Sequence, residues 1–233
     1  MAARIKPPVL ASAACAAALV PLVLAAYGLG PVERLDASLL LRTSAHAGPA
    51  ATTFAEAVAH LADPLPLLAM ILLVCGLGVA LGRRPEAVAA AGVVVGANLT
   101  TQMLKVVLAH PREAPLGIWS TSFPSGHETA AASIAIALVL VAPPRWRAAA
   151  ALAGGGFAAL VAVSVVALEW HYPSDVLGAV LVAACWGFAA MAVLRGWRSL
   201  RSGPGAGVGL SSPAAWPSRR SSRAPGGWPA SHG

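Results

Sequence analysis

Long apolar stretches dominate the chain, and short polar segments separate them. Six such stretches run approximately over residues 9–30, 64–82, 86–109, 127–142, 148–168 and 174–194. Each has about the 17–25 residues that an α-helix needs to cross a hydrocarbon core of about 30 Å. Backbone groups in lipid must be hydrogen-bonded internally, and the alternation typical of a membrane β-barrel is absent. The pattern therefore predicts an all-α, polytopic membrane protein with six transmembrane helices in one bundle.

The connection between the first two stretches, residues 31–63, is long and contains further apolar positions at roughly helical spacing. These positions are Leu35, Leu39, Leu40, Phe54, Val58 and Leu61. The spacing predicts short helices that lie at the membrane interface between the first and second spans.

The composition agrees with a membrane protein that has little soluble mass. Of the 233 residues, 58% are hydrophobic and 11% are charged, and the mean hydropathy is +0.73. Soluble domains are about 45–50% apolar and about 25% charged, so a soluble enzyme and a disordered protein are both excluded. Beyond residue 196 the chain becomes rich in Gly, Pro, Ser and Arg. We therefore predict a membrane domain over 1–196 and a disordered, basic cytoplasmic tail over 197–233.

A net charge of +7 is typical of nucleic-acid-binding proteins, but here most of the basic residues lie in the predicted loops and tail of a membrane protein. Twelve of the sixteen lie on the side that holds both termini, and the other side carries only Arg34, Arg42, Lys105 and Arg112. Positive loops face the cytoplasm. We therefore predict a multi-pass protein of the cell membrane with both termini cytoplasmic and no nucleic-acid partner. The first stretch is long for a signal peptide and is interpreted as a retained anchor, with a cleaved signal peptide as the alternative.

The third stretch carries a polar stripe that ends in a lysine. Asn98, Thr101, Gln102 and Lys105 are spaced i, i+3, i+4 and i+7, which places them on one helix face, and Arg112 follows. Ionisable residues at membrane depth are candidates for function. The alternative interpretation is interhelical hydrogen bonding with a lysine that reaches the membrane surface.

The segment before the fourth stretch has the features of an anion-binding helix start. Ser125 and Glu128 fit a capping box, and the N–H groups of a first helical turn bind anions. Gly126 permits a ligand to approach the backbone closely, and His127 would lie beside that ligand. The alternative is an ordinary helix cap with an interfacial histidine.

A histidine and an aspartate lie four residues apart between the last two stretches. Asp175 can accept a hydrogen bond from one nitrogen of His171, which leaves the other nitrogen as a nucleophile or base. A structural pair is the alternative. The three motifs map to the same outer face, where together they supply the cations, N–H groups, nucleophile and acid that cleavage of a phosphate ester requires.

With these motifs the chain resembles the type 2 phosphatidic acid phosphatase (lipid phosphate phosphatase) superfamily. The family motifs are K-x6-R-P, P-S-G-H and S-R-x5-H-x3-D, and here they run over 105–112, 124–127 and 164–175. The resemblance implies a membrane phosphatase that needs no metal or cofactor. Its expected substrate is a lipid phosphate or diphosphate, such as polyprenyl diphosphate, phosphatidic acid or phosphatidylglycerol phosphate, at the extracytoplasmic face.

The resemblance also implies a role for each matching residue. His171 would attack phosphorus to form a phosphohistidine, Asp175 would orient it, and His127 would protonate the leaving oxygen. The groups implied to hold the phosphoryl oxygens are Lys105, Arg112, Ser125 and the backbone around Gly126. His46 and His60 are interpreted as interfacial residues.

Two positions depart from the family motifs. Glu113 replaces a proline, and Val165 replaces an arginine that would contact the phosphate. One charge-assisted hydrogen bond is worth roughly 1.5–3 kcal/mol, and loss of one anion-stabilising donor lowers turnover about 10²–10³-fold. An alternative is therefore a weak or inactive relative that binds lipid phosphate or a membrane partner. A small transporter or channel subunit is disfavoured because no inverted repeat is visible, and a haloperoxidase because those relatives are soluble.

Overall fold

The computed structural model describes residues 2–109 and 123–201, and within them every regular element is helical. A short 3₁₀ helix spans Pro144–Trp146. The α-helices are α1 (Ala2–Gly28), α2 (Gly30–Ala45), α3 (Pro49–His60), α4 (Pro64–Ala80), α5 (Arg84–Val107), α6 (Gly126–Val141), α7 (Arg147–Ala167) and α8 (Pro173–Arg201). The predicted all-α membrane fold is confirmed.

Four helical segments in the described residues are long and apolar enough to cross a membrane: Lys6–Gly28, Arg84–Val107, Pro144–Ala167 and Pro173–Arg201. Helices α3 and α4 pass the same test together, although a bend of 57° separates them, and the number is five if this bent pair forms one span. Helix α6 has 16 residues, fewer than the about 20 of a typical span. The count of six spans therefore stays a prediction.

The two helices between the first and second spans are α2 and α3, and each begins with a proline in its first turn. Proline suits this position because the first N–H groups of a helix have no intrahelical partner. Helix α3 buries Val58 and Ala59 against Val161 and Val165 of α7. These two helices therefore cover the end of the bundle at which α7 finishes and α8 starts.

Helix α6 is the centre of the bundle and packs against α4, α5, α7 and α8. Small residues make the close approach possible: a Cβ atom on Gly154 would lie 2.8 Å from Ala135 Cα, and one on Gly187 would lie 2.9 Å from Ile136 Cγ2. Membrane helices commonly associate through such small residues, because contact rather than water exclusion drives their packing.

The polar stripe of α5 faces α6 in part. The hydroxyls of Thr101 and Thr129 are hydrogen-bonded at 2.8 Å, and Asn98 Nδ2–H donates to Ser133 Oγ at 3.4 Å. Gln102 is exposed instead. The interhelical hydrogen bonds that the sequence left as an alternative for this stripe are therefore present.

At the opposite end of the bundle, Glu86 joins α5 to α8. Arg198 Nη2–H donates to Glu86 Oε1 at 2.6 Å, and Arg83 lies 3.2 Å from the same oxygen. Arg83 also donates to the Leu140 carbonyl near the end of α6 at 3.1 Å. Helix α8 continues through Arg201, past the predicted boundary at residue 196. The rest of the predicted tail lies outside the described residues, so the division into membrane domain and tail stays a prediction.

Candidate active site

Three helix ends meet where the sequence motifs predicted a common site. The Ser125 N–H, just before α6, donates to the Asp175 carbonyl in the first turn of α8 at 3.0 Å. A Cβ atom on Gly126 would lie 3.7 Å from Lys105 Nζ, near the end of α5. His127 is close enough to Lys105 and His171 for their charges to interact. Six of the seven predicted site residues thus lie together, and Arg112 is outside the described residues.

The start of α6 provides the anion-binding backbone. Ser125 is its N-cap residue, and Ser125 Oγ accepts a hydrogen bond from the Glu128 N–H at 3.3 Å. The Ser125 N–H is bound to α8 instead of to Glu128, whose Oε2 is buried with no hydrogen-bond partner among the described residues. The predicted capping box is therefore half formed. The N–H groups of Gly126 and His127 have no intrahelical partner, as at any helix start.

His171 and Asp175 form the predicted pair at the start of α8. His171 Nδ1 lies 3.5 Å from Asp175 Oδ2, and both side chains are buried. This separation is longer than a good hydrogen bond, although such contacts commonly tighten when substrate binds. Asp175 Oδ2 also accepts the Tyr172 N–H at 2.9 Å, which fixes the carboxylate. Because Nδ1 faces Asp175, Nε2 is the nitrogen available for chemistry.

The end of α7 positions His171 through the backbone. The Val165 carbonyl accepts hydrogen bonds from the Trp170 N–H at 3.0 Å and from the His171 N–H at 3.2 Å. Glu169 has a φ of +60°. One residue in this left-handed backbone conformation commonly ends an α-helix, and it is usually a glycine. The Val165 side chain is fully buried in an apolar cluster with Val161. Position 165 therefore supplies a carbonyl to the site and no cation.

Two arginines predicted on the same side of the membrane as the site, Arg34 and Arg42, lie on α2. The Arg34 guanidinium lies beside the start of α2, where its Nη1 would be 3.5 Å from a Cβ atom on Gly30. Arg42 is on the same helix, two turns further along.

Asp36 of α2 is a site-supporting residue that the sequence analysis missed. Its carboxylate is buried and accepts the Ser174 N–H at 3.2 Å and the Ser174 hydroxyl at 2.6 Å. It thereby caps the start of α8 from another helix and holds the turn that carries His171 and Asp175. The available signal was an acidic residue beside the apolar positions of an amphipathic segment, next to Leu35 and Leu40.

Asp63 is a second missed residue, at the bend between α3 and α4. Its Oδ1 lies 3.1 Å from His127 Nε2, and its Oδ2 lies 2.9 Å from His60 Nδ1. The rings of both histidines contact the indole of Trp170, at centroid distances of 5.3 and 5.8 Å. Hydrogen bonding with His60 is the main reason that the pKa of Asp63 lies below its ordinary value; His127 lowers it further, while partial burial opposes the shift. His60 was interpreted only as interfacial.

Metal-ligating clusters are absent from residues 2–109 and 123–201: no group of three or more His, Cys, Asp or Glu side chains there is arranged to hold an ion. The three cysteines, Cys15, Cys75 and Cys185, are free thiols.

Taken together, the helices and the clustered histidines, lysine and carboxylates define a multi-pass membrane protein with a polar site at one end of its bundle. The profile of the PAP2 superfamily matches residues 67–199, more than half of the chain, and includes all three motifs. The chain belongs to the PAP2 superfamily. The comparison with curated proteins gives no match.

Two solved structures share the fold. The first is described as the first transmembrane PAP2-type phosphatidylglycerolphosphate phosphatase from Bacillus subtilis. It is 23% identical, with a TM-score of 0.67 over 80% of this chain and 96% of that one. The second is LpxE of Aquifex aeolicus, 19% identical with a TM-score of 0.55 over 67% of this chain and 94% of that one. At these identities the similarity establishes the fold.

Proposed function

We propose that this protein is an integral membrane phosphatase that hydrolyses a lipid phosphate or diphosphate through a phosphohistidine intermediate. The observation that carries the proposal is the meeting of the His171–Asp175 pair, His127 and Lys105 at the first turn of α6. This arrangement combines a nucleophile, a proton donor, a cation and backbone N–H groups, which is the set that phosphoryl transfer requires.

The first chemical step forms the phosphoenzyme. His171 Nε2 attacks phosphorus, a P–N bond forms, and the ester P–O bond breaks. His127 gives its proton to the departing oxygen, while Asp175 stabilises the positive charge that develops on His171. Lys105 and the N–H groups of the first turn of α6 stabilise the charge on the nonbridging oxygens, as the motif implies for Arg112.

The second step releases phosphate. Water attacks the phosphohistidine, the P–N bond breaks, and His127 takes the proton that the water loses. His171 returns to its starting state and His127 is again protonated, so atoms and charge balance over the two steps without a further reactant.

The substrate is proposed to be a lipid because the site lies at helix ends of a membrane bundle. The related Bacillus subtilis protein is a phosphatidylglycerolphosphate phosphatase by its description, which supports a lipid phosphate here. Phosphatidylglycerol phosphate, phosphatidic acid and polyprenyl diphosphate are the substrates to compare.

The site is proposed to face the extracytoplasmic side, with both termini in the cytoplasm. Lys105 and Glu86 are at opposite ends of α5, and 19 residues of helix separate them by about 28 Å. That distance matches the thickness of a hydrocarbon core of about 30 Å. The cluster of Arg83, Glu86 and Arg198 would then lie at the cytoplasmic surface, as the positive-inside rule expects.

Buried Val165 favours a second candidate, a relative that binds lipid phosphate with little or no turnover. The deciding experiment measures phosphate release by the full-length protein in detergent, with EDTA present. It compares wild type, His171→Ala and a control, His46→Ala, in which the exposed histidine that directly follows α2 is removed. Release that persists in the control and disappears in His171→Ala supports the phosphatase. Binding of lipid phosphate by folded wild type with no release from any of the three lipids supports the second candidate.

A further inference from the structure

The Asp63 carboxylate is bonded to two histidines and not to its own helix. Asp63 is the N-cap residue of α4, yet its side chain makes no capping hydrogen bond. Its Oδ1 lies 3.1 Å from His127 Nε2 and its Oδ2 lies 2.9 Å from His60 Nδ1. An N-cap aspartate ordinarily accepts an N–H of its own first turn, so a helix-capping role does not account for this geometry.

The position of the carboxylate follows from the bend between α3 and α4. Three residues separate the helices, and Pro64 begins α4 at an angle of 57° to α3. His60 ends α3 and Asp63 precedes α4, so the bend brings Asp63 against His127 in the first turn of α6, with His60 bonded to Asp63. The Trp170 indole contacts the rings of His60 and His127 and limits their rotation.

We infer that Asp63 is a positioning residue for His127, the proposed leaving-group acid, and that His60 holds Asp63 in place. The inference rests on the proposed function. A carboxylate at Nε2 fixes the tautomer and ring orientation of His127 and leaves Nδ1 as the nitrogen that exchanges a proton with substrate.

The electrostatic need for Asp63 follows from the groups around His127. Lys105 of α5 is near enough to repel a proton on His127, as is His171, before α8, once its attack on phosphorus gives it positive charge. From the α3–α4 bend, Asp63 contacts His127 directly and His60 lies behind it. His127, which must be protonated to act as an acid, thus lies beside the Lys105 cation, and its contact with the Asp63 carboxylate stabilises its charged form.

The site therefore has two carboxylate–histidine pairs with different tasks. Asp175 serves the attacking His171, and Asp63 serves His127 on the leaving-group side. This division predicts that loss of Asp63 slows the release of leaving groups that need a proton. The release of leaving groups that depart without a proton should be unaffected.

The test compares substrates whose leaving groups differ in their need for a proton. We would measure Asp63→Asn, which keeps the side-chain shape and removes the charge, beside wild type. The matched control is Glu56→Gln, which removes an exposed carboxylate from α3. The alkyl substrates are phosphatidic acid and phosphatidylglycerol phosphate. The aryl substrate is p-nitrophenyl phosphate, whose phenolate departs without protonation.

Asp63→Asn should lower kcat on the alkyl substrates by about 10- to 100-fold. First-turnover release of p-nitrophenolate should change less than about threefold, and the alkaline limb of the pH–activity profile should move to lower pH. Glu56→Gln should match wild type in every assay. Equal losses on alkyl and aryl substrates, or no loss on either, would overturn the inference.

A double-mutant cycle tests the same inference with any substrate. If Asp63 acts through His127, then Asp63→Asn should cost nothing further in a His127→Gln background, whereas additive losses would contradict it. If Asp63→Asn does not fold, Asp63→Glu replaces it. This variant keeps the charge, so it should lower the rate and leave the alkaline limb in place, and a shifted limb would count against the inference.

The two proposals fail in different ways. Full activity in His171→Ala, or no turnover by wild type, would refute the proposed phosphatase. With wild type active and His171→Ala inactive, an Asp63→Asn variant indistinguishable from Glu56→Gln would refute only the role of Asp63.

Discussion

Removing Asp36 should destabilise the protein because its buried carboxylate caps α8 from a different helix. Asp36→Ala would leave the Ser174 N–H and hydroxyl, which it binds at 3.2 and 2.6 Å, without these acceptors. An unsatisfied buried donor costs about 1–3 kcal/mol, and loss of an N-cap costs about 1 kcal/mol. We expect a total of roughly 2–3 kcal/mol, since the backbone donor is counted in both figures.

The measurement is thermal unfolding of the full-length protein in detergent. For a chain of this length, the expected loss lowers the unfolding midpoint by roughly 4–12 °C. Glu56→Ala, which removes an exposed carboxylate from α3, is the control and should stay within about 0.5 kcal/mol of wild type. Ser174→Ala should lose only the hydroxyl bond, and its effect should shrink in the Asp36→Ala background. An Asp36→Ala midpoint equal to that of the control would refute the cross-helix cap.

Three further outcomes are expected. Glu169→Gly should raise the free energy of unfolding by up to about 1 kcal/mol, because glycine removes the cost of the φ of +60°. Equilibrium unfolding measures this change, and a lower free energy of unfolding would contradict it. Gly154→Ala should cost about 1–3 kcal/mol, because its Cβ would meet Ala135 at 2.8 Å, whereas Gly155→Ala, with nothing within 4 Å, should be neutral in the same assay. The pKa of Asp63 is lowered on folding, so its contribution to stability is present above its unfolded-state pKa and is lost as pH falls through its folded-state pKa. Asp63→Asn should therefore flatten the acidic side of a plot of unfolding midpoint against pH, and an unchanged slope would contradict this.

The helices and motifs that could be predicted from the sequence depend on residues that lie close together in the chain. Each of the six apolar stretches corresponds to a helix, and Ser125 caps α6 as its spacing with Glu128 indicated. His171 and Asp175 are four residues apart across the start of α8, so their proximity is a local feature of the chain. These features depend on hydrophobic periodicity and on helix-capping residues, and both can be identified in the amino-acid sequence alone.

The contacts that the sequence did not reveal join residues far apart in the chain. Asp36 binds Ser174 across 138 positions, and Asp63 binds His127 across 64. Each is a polar residue in a short interfacial helix or its bend, where solvent exposure is the usual expectation. Only the packing of α2 and α3 over the ends of α7 and α8 makes them part of the site. The count of six spans stays a prediction, because α4 and α6, with 17 and 16 residues, are shorter than a typical span.

The replacement of the family arginine by Val165 changes the charge of the site and not its framework. The Val165 carbonyl still holds the Trp170 and His171 N–H groups, and its side chain packs into the apolar cluster that joins α3, α6 and α7. The position of the proposed nucleophile therefore does not depend on an arginine at 165. What is missing is one cation for the phosphoryl oxygens, and removal of one such donor lowers turnover about 10²–10³-fold. Since general acid catalysis alone contributes about 10²–10⁴-fold, a site that retains His171, Asp175 and a supported His127 is expected to be a slower phosphatase and not an inert binding site.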